Sequence, residues 1–86
     1  MTEEEIYKIF DEDSDYGMAE HFSVYDGLTI LRKYKPHADV DGADHDIVYI
    51  DGSIDKYLEL GLTKEDAIIL RQNNWMIRDN YFCSFV

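Results

Sequence analysis

Cys83 is the only cysteine in a chain of 86 residues. An intramolecular disulfide is therefore impossible, and a domain near the lower size limit for an unstapled core must be held by packing alone. The composition can supply that core. The apolar share is 45%, with seven Tyr, four Phe and one Trp, too much large apolar surface for a chain that stays disordered. Residues 1–86 are expected to form one domain. A single free thiol suits a reducing compartment, and the start MTEEEIYKIF lacks the basic and apolar stretches of an export signal. The expectation is a cytoplasmic protein with no membrane partner.

Charge sets the second constraint. The formal net charge is −11, and the acids are clustered. Residues 1–20 carry Glu3, Glu4, Glu5, Asp11, Glu12, Asp13, Asp15 and Glu20 against Lys8 alone, and residues 35–51 carry Asp39, Asp41, Asp44, Asp46 and Asp51 against Lys35. Such a field repels phosphates, so direct nucleic-acid binding is not expected and a basic partner surface is. Acidity of this degree also keeps a small protein soluble.

The local patterns predict an α+β fold with the order α-β-β-α-β-β. Thr2 and Glu5 have capping-box spacing, and Ile6, Ile9 and Phe10 share a helical face, so the first helix runs to about Glu12. Met18, Phe22 and Val24 fit a short helical turn. The run Leu28 to Tyr34, rich in β-formers and bounded by Asp26-Gly27 and Pro36, reads as the first strand. PHADVDGADHD, 36–46, reads as an acidic loop, and Ile47 to Ile50 as the second strand. Residues 53–62 suit one helical turn. Thr63 and Asp66 open a helix through Gln72, stopped by Asn73-Asn74. Trp75 to Val86 reads as a hairpin turning at Asp79-Asn80, since both residues tolerate positive φ. The expected architecture is a four-stranded, mainly antiparallel sheet with helices on one face.

No catalytic, metal or cofactor signature stands out. In the loop 39–46, Asp39, Asp41, Asp44 and Asp46 could converge on a divalent cation, but counting from Asp39 the glycine and glutamate positions of an EF-hand are not met. His21, His37 and His45 match no zinc spacing. His45 lies between two aspartates and is the best-placed general base. Cys83, by strand alternation, falls among aromatics as an inert thiol. An enzyme is not expected, and neither is a bound cofactor. The candidate partner-binding residues are Glu4, Tyr7, Asp11, Asp13, Asp15 and Tyr16, with Asp39, Asp41 and Asp44, because carboxylates supply charge and tyrosines supply anchors. Tyr25 lies beside the same region. A homodimer through an edge strand or the C-terminal aromatics is a further expectation.

From Gly27 to Val86 the chain resembles a pattern found in small bacterial and phage-encoded proteins. A strand ending in Tyr precedes His45-Asp46-Ile47-Val48-Tyr49, then Leu-Thr-x-Glu-Asp from Leu62 to Asp66, then a Trp and a closing aromatic strand. Asn74 stands where that pattern has Gly before the Trp. The resemblance assigns no residue a role. It implies a phage or mobile-element origin, where small acidic proteins block host nucleic-acid-binding machinery, including restriction and CRISPR complexes, as nucleic-acid mimics.

Overall fold

The computed structural model describes residues 1–11 and 24–85. The proposed turn around Met18 and Phe22 lies outside the described residues, apart from its end at Val24. Among the described residues four helices, α1 (Glu3–Ile9), α2 (Val24–Leu31), α3 (Ile54–Glu59) and α4 (Lys64–Gln72), accompany four strands, β1 (Val40–Asp44), β2 (Ile47–Ser53), β3 (Met76–Arg78) and β4 (Tyr81–Phe85). The sheet order is β1-β2-β4-β3 and each pair is antiparallel. The expected α+β class and antiparallel four-stranded sheet are thus observed.

Local chemistry sets most boundaries. The Glu5 N–H donates to Thr2 Oγ1 (3.2 Å) and the Thr2 N–H to Glu5 Oε1 (3.1 Å), completing the capping box of α1. This satisfies otherwise orphaned donors, while Glu3, Glu4 and Glu5 meet the positive end of the helix. Ser53 and Thr63 cap α3 and α4 by accepting from the Lys56 and Asp66 N–H groups. Asp79 (φ 52°) and Asn80 (φ 67°) both occupy the left-handed region. A two-residue turn that matches the twist of its strands requires this, so the C-terminal hairpin closes as expected.

Two elements differ from the sequence reading. Residues 28–31, expected to begin a strand, belong to α2, and the chain continues in turns to Lys35 through hydrogen bonds such as Arg32 N–H to Leu28 O (2.9 Å) and Lys35 N–H to Leu31 O (3.0 Å). Leu28 and Leu31 are buried on one face, and Thr29 Oγ1 donates to the Tyr25 carbonyl (2.8 Å), the back-bond of a threonine within a helix. Burial of the two leucines against α4 outweighs the β preference of Thr29 and Ile30. The missing strand is supplied by the supposed loop. Residues 40–44 pair with β2, with a bulge between Val40 and Gly42, and all five are exposed. An edge strand buried on neither face carries no apolar alternation to reveal it.

The register divides the sheet into two faces. Ile50, Phe82 and Ile77 share one face and pack with α1, α3 and α4 around Ile6, Ile54, Tyr57, Ala67 and Leu70. Phe82 sits at its centre, edge-on to Tyr57 (5.4 Å between ring centroids) and tilted against Phe10 (5.7 Å). On the opposite face Tyr49, Cys83 and Met76 lie in a row across β2, β4 and β3, beside Tyr81 and Phe85. None of these five belongs to the core cluster.

Candidate functional site

The acidic residues singled out in the sequence fall into two places. On α1, Glu4 lies 3.9 Å from Lys8 with both side chains largely in water, a pairing that contributes little. Tyr7 is 41% exposed and its hydroxyl donates to Asn80 Oδ1 (3.3 Å) in the β3–β4 turn. Burial and the charges of Glu3 and Asp55 push the Tyr7 phenol up. Asp11 is exposed. Asp13, Asp15 and Tyr16 lie outside the described residues, as do His21 and the acids Glu12 and Glu20.

The second acidic region is the edge of the sheet. Asp39 precedes β1, its carboxylate 4.0 Å from Arg32 and accepting from the Val40 N–H (2.8 Å). Asp41 sits in the bulge of β1 and Asp44 at its end, 3.6 Å from the exposed His45. Neither Asp41 nor Asp46 forms an ion pair with a described residue. His45 itself occupies the two-residue turn between β1 and β2 at φ 54°. Among the described residues no three His, Cys, Asp or Glu side chains are placed to share a metal ion.

Strand order joins to Asp41 two tyrosines that the sequence reading had assigned to ordinary strand packing, Tyr49 and Tyr81, and one residue it had assigned to the hairpin turn, Asp79. Asp41 and Gly42 of β1, Tyr49 of β2, and Asp79 and Tyr81 at the β3–β4 turn line one recess of about 240 Å³ on the sheet face opposite the helices. Tyr81 is 37% exposed and Phe85, four residues further along the same face, 52% exposed. Tyr7 reaches the same turn from the helical side through Asn80, so both acidic regions border the 79–81 turn.

The remaining ionisable groups have structural explanations. Asp66 is 8% exposed. Burial pushes its carboxyl up, but hydrogen bonds from Lys33 and Tyr34, with Thr63 beside it, outweigh that and hold it below the usual carboxylate range. The Lys33 ammonium is 2.7 Å away, and the Tyr34 hydroxyl also accepts from the Thr63 N–H (3.2 Å), tying α2 to the start of α4. Burial pushes the Tyr57 phenol up to about 12, helped by the charge of Asp51, while its hydroxyl donates to the Asp51 carbonyl (2.9 Å). Cys83 is buried, and that burial pushes its thiol up, which leaves little thiolate at neutral pH.

No protein-family model, no curated protein and no solved structure matches this chain. Among the described residues no helix is long and apolar enough to cross a membrane.

Proposed function

We propose that this chain is a non-enzymatic protein-binding module whose acidic face engages a basic surface on another protein. The observation that carries this reading is the edge strand β1, where every residue is exposed and where Asp41, which forms no ion pair with a described residue, lines one recess with Tyr49 and Tyr81. An unpaired carboxylate on an edge attracts Lys and Arg at long range, and exposed aromatics next to it supply the desolvated contacts that hold a complex once formed. The same charges repel a second copy at this edge, so a homodimer would form elsewhere, on the aromatic end of the sheet around Phe85.

The partner class follows from charge. A surface shaped to hold nucleic acid is basic, and an acidic domain that occupies it excludes the phosphate backbone. The resemblance to phage-encoded proteins supports a host nucleic-acid-binding complex as the target, with the domain acting as a nucleic-acid mimic of the anti-CRISPR or related anti-defence kind. The test is capture from a bacterial lysate on the immobilised full chain, followed by elution with a salt gradient and nuclease-free binding of the recovered protein. The reading expects a basic nucleic-acid-binding protein that elutes with salt and loses its nucleic acid when this chain is added. A partner that binds this chain and nucleic acid together, without competition, contradicts mimicry.

A further inference from the structure

We infer that the recess formed by Asp41, Gly42, Tyr49, Asp79 and Tyr81 is a receptor for a single lysine or arginine side chain of the protein partner. The inference rests on the reading of a basic partner and names where that partner is gripped. Three features of the recess select such a group. Asp41 and Asp79 enter it from opposite ends of the sheet order, one on the edge strand and one on the turn of the far hairpin. Tyr49 and Tyr81 both line it, and aromatic rings attract a partly desolvated ammonium or guanidinium. Gly42 borders open space, since a Cβ there would meet nothing within 4 Å.

Among the described residues no lysine or arginine lines the recess. Arg78 is paired with Tyr81 across the hairpin but lines a separate hollow with Arg71, Trp75 and Met76. The volume of about 240 Å³ suits the end of one long side chain and is small for a folded element. Two aromatic walls also disfavour a small hard ion, which requires six or more oxygen ligands for Ca²⁺. The backbone fixes the geometry: Asp79 is held at φ 52° by the two-residue turn, and Tyr49 stands opposite Gly42 in the β1–β2 register.

The experiment is a titration of the isotope-labelled full chain with two seven-residue Gly-rich peptides, one with a central lysine and one with N-acetyl-lysine, followed by amide chemical shifts. The lysine peptide should move the amides of Gly42, Tyr49, Asp79 and Tyr81 and the acetylated one should not. Tyr49→Leu and Tyr81→Leu keep apolar bulk for folding and remove the phenol face, and each should weaken binding about threefold. Asp41→Asn together with Asp79→Asn should weaken it about tenfold at low salt. Shifts confined to α1 would overturn the recess while leaving a basic partner possible. Equal binding of both peptides, no binding by the lysine peptide, or shifts at the same amides with Ca²⁺ alone would each overturn it.

Discussion

Replacing Gly27 by Ala sets two forces against each other and isolates the close approach of α2 to Trp75. In an exposed helix interior this substitution stabilises by about 1 kcal/mol through backbone propensity. Here a Cβ on Gly27 would lie 2.7 Å from Cζ2 of Trp75, and closer still to Cε2 and Nε1 of the same indole. Trp75 is 1% exposed, so the ring has no open space to retreat into and must move by about 1 Å or more through a close-packed interior. Overpacking of this kind costs about 1–3 kcal/mol, and a rigid buried indole lies toward the upper end. After the propensity gain, the net loss should be about 2 kcal/mol, a fall in Tm of roughly 8–16 °C for a domain of this size. Urea unfolding followed by Trp fluorescence measures it directly. Repeating the substitution in a Trp75→Phe background, where part of the obstructing ring is gone, should recover at least about 1 kcal/mol as a coupling energy. A Gly27→Ala variant as stable as the parent, or more stable, would refute the packing of α2 on Trp75.

Two further perturbations probe the core. Asp66 is held below its ordinary pKa, so its contribution to stability is full above the unfolded value near 4 and is lost as pH falls through the folded value; Asp66→Asn should cost about 1–3 kcal/mol at pH 7 and progressively less below pH 4, measured by urea midpoints at each pH. Removing residues 82–86 takes out most of β4, which lies between β2 and β3, including Phe82, whose burial alone contributes about 1.5–3 kcal/mol. Against a total of roughly 4–13 kcal/mol for such a domain, the truncated chain should show no cooperative thermal transition, and a sharp one would make the hairpin an appendage.

Much of the fold was legible where the determining interaction is local. Thr2 with Glu5, Thr63 with Asp66, and Asp79-Asn80 each act within a few residues, and each formed the expected cap or turn. Gly27 to Tyr34 misled because its outcome depends on residues far along the chain: read alone, Thr29 and Ile30 favour a strand and Gly27 a turn, whereas in the fold Leu28 and Leu31 bury against α4 and Gly27 lets an indole approach α2. β1 was hidden for the opposite reason, since an edge strand exposed on both faces needs no apolar pattern. The candidate recess shares that difficulty. Asp41 stood out by its charge, but Tyr49, Asp79 and Tyr81 join it only through the order β1-β2-β4-β3, which period-2 alternation cannot supply.

The central claim is that the acidic face brings a basic partner onto this domain. The most direct measurement is the association rate constant with a captured partner across ionic strength, for the full chain and for a variant with Glu4, Asp11, Asp41 and Asp44 neutralised to Gln or Asn. If the claim holds, the parent associates about tenfold or more faster at low salt. The advantage should shrink as the screening length falls to about 8 Å near 0.15 M and below, and the two proteins should converge at high salt with their thermal stabilities equal or the variant slightly higher. Rate constants that coincide at every salt concentration would show that the acidity serves solubility alone and would contradict the account.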